Sequence, residues 1–469
     1  MVEACEEVYS SLSRRFKGDL LRPGESGYED ARSIWNGMVA RMPALIARCA
    51  DVSDVQSAVR AASETGVTTA VRCGGHSLAG FSTCDGGLVI DLSRMRQVAV
   101  DPESRRARIA GGCLLGSVDT VTQKAGLVFP SGVVSHTGAA GLILGGGTGW
   151  LTRRFGLSCD NVEGFTLVTA DSSVVRANSR ENPDLFWALR GGGGNFGVVT
   201  EFEVRLHPLA SVVLAEGLSP EADIRPLLEY WRDSMADAPL DLKWNIDLRL
   251  APDTKKVPTE LRGQPVASSS LVWTGDPEAG RRYLDRALSL CHPDSVSRRV
   301  MSFIDLQTMA DSDFPHGRRY YTKSGYFAYL DDIVVDRMVE AVATIPSSET
   351  QIELAYLGGA AGRIAANETA FGDRSASFIM NLLANWSDAS ADAGNVSWIR
   401  GLFSKLRPTM KPGVYINFMS GDEQDRVPEA YQERWDRIVA VKTHYDPNNF
   451  FRLNQNIPPR KPSRQSAPS

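Results

Sequence analysis

The chain has little thiol and no sign of paired thiols. Its seven cysteines (Cys5, Cys49, Cys73, Cys84, Cys113, Cys159 and Cys291) are an odd number, form no C-x-x-C pair, and build no cysteine–histidine cluster with zinc spacing. This argues against a disulfide scaffold, predicts no metal, and fits a reducing cytoplasm. No run of lysine and arginine stands out and the formal net charge is -5, so no nucleic-acid surface is expected. No stretch of about 18 apolar residues occurs, which predicts no membrane span. Residues 1–22 mix acids and bases and lack the apolar block of a secretory leader. There is no G-x-x-x-x-G-K-[ST], so P-loop chemistry is excluded, and no repeat of solenoid period.

Glycine is plentiful, with 42 residues, and its placement carries the first positive signal. Residues 68–71, Thr-Thr-Ala-Val, read as a strand running into Arg72-Cys73-Gly74-Gly75-His76-Ser77. A strand that ends in two glycines can turn sharply and aim successive N–H groups into one concavity, a nest for an anion such as phosphate. His76 stands at its mouth. A phosphate cradle beside a fixed imidazole points to a large phosphorylated cofactor and a side chain able to react with it.

With 469 residues, 43% hydrophobic and 23% charged, the chain has room for about two or three domains. Residues 43–66 read as a strand, an N-cap at 51–54 and a helix; 68–71, 88–92 and 106–110 read as strands. A small α+β unit ends near residue 95. A second runs over 97–209, with a helix at 113–125, a strand and hairpin from 162, a short helix at 182–190 and an alternating strand at 198–206. Across 210–410, helices at 220–236, 277–290 and 331–343 separate strands at 242–250, 268–274 and 350–357. That pattern predicts an antiparallel sheet backed by helices, a layer built to hold a substrate. A strand at 413–419 and a helix at 434–449 follow, and 458–469 read as a disordered tail.

Three more segments carry too much glycine for plain core: 138–150, 156–161 and 191–197. Glycine costs about 0.5–1 kcal/mol inside regular elements, so such clusters need a reason, and close approach of backbone to a ligand is one. Gly192, Gly194 and Gly197 formally spell G-x-G-x-x-G. A dinucleotide fingerprint must follow a strand and open a helix; here a helix precedes and a strand follows, so a Rossmann NAD site is rejected.

In order, the chain reads R-x-G-G-H-S, P-S-G-V-V-S-H-T-G, G-L-x-L-G-G-G-x-G-W, G-L-x-x-D-N and L-F-W-A-L-R-G-G-G-G-N-F-G-V-V-T, then Y-I-N-F at 415–418 and Y-D-P-N-N-F-F at 445–451. This series resembles the vanillyl-alcohol-oxidase superfamily of FAD enzymes, in its berberine-bridge-enzyme-like branch, over 35–210 and 410–457. The resemblance implies an α+β fold: an N-terminal helical segment (1–34), a PCMH-type two-part FAD-binding domain (35–209), a substrate domain (210–410) and a segment returning to the FAD domain (411–457). It implies FAD bonded through its 8α-methyl to His76. Relatives with a second link carry a cysteine four residues before the glycine at 138; Val134 stands there, so a single link is expected. It also implies that the flavin is held by Arg72, Cys73, Gly74, Gly75 and Ser77, and by Val134, Ser135, His136, Gly138, Gly141, Gly145, Gly146, Gly149 and Trp150. Asn161, Gly197, Val198, Val199, Asn417 and Asn454 complete that set, with His136 in a positioning role.

More loosely, I-W-N-G at 34–37, Y-T-K-S-G-Y at 321–326 and E-x-x-Y-L-G-G at 353–359 resemble flavoenzymes of bacterial polyketide biosynthesis of the enterocin-pathway kind. The leading base is Glu353, a carboxylate in an apolar strand whose period-two partners are Gln351 and Ala355. A solvent-facing carboxylate is the plainer reading, and the resemblance, which implies a catalytic glutamate there, favours function. Asp247 alternates onto one face with Asn245 and Arg249, and an ion pair with Arg249 is the equal alternative. The polyketide enzyme implies a tyrosine at 247, so the departure suggests a different substrate; two carboxylates near one flavin can also raise one another's pKa. Tyr321, Lys323 and Tyr415 complete the catalytic candidates. The expected activity is oxidation of a small alcohol, amine or activated C–H with O2 as acceptor, in natural-product biosynthesis. The alternatives are oxygen transfer to a polyketide-type ketone and a non-catalytic flavin-binding module. The sequence leaves open a homodimer and substrate delivery by an acyl carrier protein.

Overall fold

In the computed structural model, which describes residues 2–461, short apolar runs set the first layer. β1 (Asp19–Leu21), β2 (Leu45–Arg48), β3 (Thr69–Arg72) and β4 (Leu88–Asp91) form a sheet in the order β1-β2-β4-β3. β2 and β3 both run parallel to β4, so a crossover must join them. The helix Val52–Thr65 supplies it. The Asp51 side chain accepts from the Ser53 and Asp54 N–H groups at its start, and Gly66 ends it in the left-handed region at φ 66°. Val55, Ala58, Val59 and Ala62 pack from this helix onto Leu45, Ala47, Leu88 and Ile90.

The second layer contains β5 (Val98–Asp101), β6 (Arg106–Ala110), β7 (Leu127–Val128), β8 (Val162–Val168), β9 (Val174–Asn178), β10 (Val198–Arg205) and β11 (His207–Pro208). Five of them make an antiparallel sheet in the order β5-β6-β10-β8-β9, while β7 and β11 pair separately. The helix Trp435–Tyr445 returns here, burying Ile438, Val439 and Val441 with Trp187 and Phe196. Its Lys442 is wholly buried: Nζ meets Asp446 at 2.6 Å and donates to the carbonyls of Asn195 (2.8 Å) and Phe451 (3.0 Å). A buried lysine needs such partners, and these bind the C-terminal segment to the glycine loop at 191–197.

The third layer is larger than the sequence suggests. β12 (Ser211–Pro220), β13 (Leu242–Leu250), β14 (Pro265–Trp273), β15 (Ser297–Ser302), β16 (Arg319–Phe327), β17 (Gln351–Tyr356) and β18 (Phe378–Trp386) form an antiparallel sheet in the order β15-β12-β14-β13-β17-β18-β16. Alternation splits each strand. Trp244, Ile246, Leu248, Ile352, Leu354, Met380 and Leu382 meet Leu227, Trp231, Val335, Met338 and Ile399 from three helices. The other face carries the polar side chains Lys243, Asn245, Asp247, Glu353 and Asn381 among apolar ones such as Ala355 and Ile379.

Residues 413–419 do not form the expected strand. Gly413 has φ 114°, and a 3-10 turn at Ile416–Phe418 follows, closed by Phe418 N–H on the Tyr415 carbonyl. The disordered tail expected at 458–469 lies, from residue 462 on, outside the described residues. Among the described residues no helix is long and apolar enough to cross a membrane.

Candidate active site

A cavity of about 540 Å³ lies between the glycine segments and the open face of the third sheet. Two glycine turns cross at its floor. A Cβ on Gly74 would fall 2.5 Å from the Gly138 nitrogen, and one on Gly138 would strike Gly74 in return. Only glycine lets these turns approach so closely. A Cβ at Gly141 or Gly194 would meet no protein atom within 4 Å. Both line the cavity, so glycine there keeps the wall clear for a ligand. Asn454 also lines it, with its Oδ1 buried and unpartnered. Backbone N–H nests, clear glycine walls and an orphaned amide oxygen fit a dinucleotide-sized flavin cofactor.

Most of the expected cofactor residues meet here: Cys73, Gly74, Gly75, His76, Ser77, Val134, Gly138, Gly141, Gly149, Trp150, Gly197, Val199, Asn417 and Asn454 all line the cavity. Others stand behind the wall. Arg72 turns back to the Ala31 carbonyl. Ser135 is held by Asp311, from its N–H at 2.8 Å and its hydroxyl at 2.5 Å. Asn161 donates to the Phe155 and Leu157 carbonyls, both at 2.9 Å, and its Oδ1 sits 2.7 Å from His207 Nε2. Val198 packs into the core, and Gly145 makes room for the Asn417 amide while Gly146 does so for Phe371. These residues shape the loops and do not line the cavity.

His76 is gripped by aromatic rings. Its imidazole stacks on Trp35 at 4.2 Å, and Trp35 stacks on Tyr320 at 3.6 Å. His76 Nε2 lies 3.0 Å from His136 Nδ1. His316 approaches edge-on at 6.0 Å. Burial, with His136 and His316 beside it, holds the pKa of His76 well below the usual imidazole range. One ring nitrogen from each of the three histidines lies within 4.8 Å of the others. Sequence spacing misses this cluster because its members are 60 and 180 residues apart (136 − 76; 316 − 136).

On the sheet side, Lys243, Asn245, Asp247 and Arg249 of β13 and Gln351, Glu353 and Ala355 of β17 face the cavity, on the faces that alternation predicts. Asp247 and Glu353 are direct register partners. Glu353 is half-buried against the cavity and accepts from Asn381 Nδ2 at 2.7 Å, and Arg249 turns to Asp313, 3.9 Å away, with no ion pair to Asp247. Burial raises the pKa of both carboxyls, and Glu353 raises that of Asp247 further. Lys243 is pushed down to about 8, chiefly by burial.

Two catalytic candidates are corrected. Tyr321 and Lys323 lie on the opposite face of β16 from Tyr320 and Thr322, which line the cavity. The Tyr321 hydroxyl donates to Asp422 at 2.7 Å, and Lys323 Nζ sits 3.1 Å from Asp422 and 3.3 Å from Glu423. Tyr415 does line the cavity. Its hydroxyl accepts from the Gly147 N–H and Asn417 Nδ2, both at 3.0 Å, which braces the glycine loop. Sequence reasoning did not assign roles to Trp35, Tyr320, His316, Lys243 and Asn381. Trp35 had a signal in its I-W-N-G motif; the others are defined by partners distant in sequence.

The family described as FAD binding domain matches residues 43–178, and that described as berberine and berberine like matches residues 414–458. An FAD-linked oxidoreductase of Dictyostelium discoideum is 30% identical over 97% of this chain and 97% of its own. The (R)-6-hydroxynicotine oxidase of Paenarthrobacter nicotinovorans is 33% identical over 94% of this chain and 97% of its own. The crystal structure of 6-hydroxy-D-nicotine oxidase from Arthrobacter nicotinovorans superposes with a TM-score of 0.84 at 30% identity, covering 95% of this chain and 98% of that one. A chitooligosaccharide oxidase shares the fold, with a TM-score of 0.86 at 24% identity over 97% of this chain and all of that one.

Proposed function

The chain belongs to the berberine-bridge-enzyme-like FAD-linked oxidoreductases, and on that premise we propose that it carries its flavin covalently on His76 alone and oxidises a small organic substrate with O2 as final acceptor. One observation carries the reading: a half-buried carboxylate pair faces, across one cavity, the glycine nest that presents His76. Bound FAD supplies a two-electron acceptor for hydride.

The residues of the chain do the remaining work. The turns at 73–77 and 138–149 offer backbone N–H groups to a pyrophosphate. Trp35 fixes the His76 ring, and the depressed pKa leaves it neutral, with a lone pair on one ring nitrogen. Val134 offers no thiol for a second link. Glu353, held by Asn381, takes the substrate proton. Lys243 beside it favours the ionised carboxylate. The substrate is an alcohol, amine or activated C–H compound. The motif likeness to polyketide flavoenzymes, which implies the same glutamate, supports a biosynthetic role. The seven unpaired cysteines support a cytoplasmic setting.

The test is to precipitate the purified holoprotein in acid, then reduce it without oxygen and readmit air. Flavin that stays with the precipitated wild type but washes out of His76→Ala, with about one peroxide per flavin on reoxidation, is the expected result. Glu353→Gln should slow anaerobic flavin bleaching by about 10²–10⁴-fold. A Glu353→Gln enzyme that bleaches at the wild-type rate would remove Glu353 from the reaction.

A further inference from the structure

One polar row crosses the sheet above the cavity. Ser268, Asp247, Glu353, Asn381 and Ser324 are successive register partners on β14, β13, β17, β18 and β16. Of the rows two residues away on the same face, one pairs Asn245 with Ala355 and Ala355 with Ile379 and carries no charge, and the other pairs Arg249 with Gln351. Direct cross-strand neighbours have Cβ atoms about 4.5–5.5 Å apart, so the two carboxyls share one small space.

The hydrogen bonds along the row have a direction. Ser324 Oγ donates to Asn381 Oδ1 at 2.8 Å, which turns the amide so that Nδ2 donates to Glu353 Oε2 at 2.7 Å. A fixed N–H donor stabilises an acceptor-only carboxylate. Asp247 has no such donor: its Oδ1 is buried without a partner. The charges around the pair reinforce the asymmetry. Lys243 of β13 draws Glu353 toward ionisation, and Arg153 of the FAD-binding part lies near Lys243. Arg249 of β13 draws Asp247 the same way, while Glu353 of β17 and Asp313 of the segment before β16 oppose it. Glu216 of β12 also lines the cavity but is ion-paired with Arg299, 2.8 Å away.

We propose that the row holds a single resting proton on Asp247, and that the pair is a recognition site for a neutral hydroxyl at the reacting carbon of the substrate. A hydroxyl satisfies both members at once: its O–H donates to Glu353 while its lone pair accepts from Asp247. An ammonium, the form an aliphatic amine takes near neutral pH, has no lone pair to offer. When the hydroxyl O–H bond breaks and the Glu353 O–H bond forms, the electron pair left on the substrate oxygen stays hydrogen-bonded to Asp247. The inference rests on Glu353 as base and narrows the substrate to an alcohol.

Two measurements test it. The first needs no substrate: an infrared difference spectrum of the resting holoprotein at neutral pH, wild type minus Asp247→Asn, should contain a buried carboxylic-acid C=O band. No such band in that difference, or its appearance only in wild type minus Glu353→Gln, overturns the inference. The second follows anaerobic flavin bleaching by matched pairs of benzylic and secondary alcohols and the corresponding amines. Alcohols should bleach the flavin, and wild-type kcat/KM should fall at alkaline pH as Asp247 ionises. Asp247→Asn, which keeps a neutral donor, should lose that alkaline fall and cost only about tenfold. Bleaching by amines with none by the matched alcohols overturns the hydroxyl site while leaving the flavin and Glu353 in place. A wild type that holds no flavin, or a Glu353→Gln that bleaches normally, overturns the underlying reading as well.

Discussion

His76 was legible because its whole context is local: a strand, two glycines and the histidine follow one another within six residues. Of its partners, His136 was placed beside the flavin only through the resemblance, and Trp35 and His316, from two further segments, were given no role. Those partners decide its chemistry. A depressed pKa leaves the imidazole neutral over the range in which an exposed histidine would take up a proton. A neutral imidazole carries a lone pair on one ring nitrogen on both sides of the usual imidazole pKa. Flavin-free protein incubated with FAD should link it to the same final extent and at the same rate at pH 6 and pH 8, read as fluorescent flavin on a denaturing gel. A rate that falls severalfold toward pH 6 would show that His76 titrates like a solvated imidazole. Asp247 is the intermediate case: alternation gave its face, but only the sheet order showed that Glu353 is its neighbour.

At the scale of the element, period two did more than composition. It put Glu353 with Gln351 and Ala355, and Asp247 with Asn245 and Arg249, on faces that line the cavity, and the same rule, applied to β16, separates Tyr320 and Thr322 at the cavity from Tyr321 and Lys323 behind it. The sequence does not say which face of an isolated strand is inward when both faces carry tyrosine. β18 escaped notice because Phe-Ile-Met-Asn-Leu-Leu-Ala-Asn-Trp is almost continuously apolar and shows no alternation, as a strand covered on both faces does not. The turn at 416–418 was read as a strand because its apolar residues are buried by loops. Tyr321 gives the element its test. Its hydroxyl meets Asp422 and Arg400 only, so Tyr321→Phe should cost about 1 kcal/mol in denaturant unfolding and leave the flavin-bleaching rate as in the wild type. A hundredfold slower bleaching would return this hydroxyl to the reaction.

At the scale of the molecule, the cavity exists only because the FAD-binding part and the sheet domain are joined, and the joints are polar and buried. Arg153 donates to the Leu242 carbonyl at 2.5 Å and to the Ala238 carbonyl at 3.0 Å. Gln307 reaches from the helix Phe303–Thr308 to Asp119 Oδ2 at 3.1 Å and to the carbonyl of Gly132, a cavity residue, at 2.8 Å. Asp119 receives no cation, its Oδ1 has no partner, and burial pushes its pKa up to about 7. The native state therefore holds a proton here that the unfolded chain releases near pH 4. Stability from this site is greatest below about pH 4 and is lost as pH rises toward 7, the reverse of an ion-paired aspartate. A rise of about three pKa units corresponds to about 4 kcal/mol at most. Asp119→Asn keeps the shape and the acceptor for Gln307 and removes the titration. Thermal melts of wild type and variant at pH 5 and pH 8 read the difference: the variant should gain on the wild type by several degrees at pH 8 and by less at pH 5. An equal offset at both pH values would mean that Asp119 is ionised in the native joint, with a cation or water compensating it.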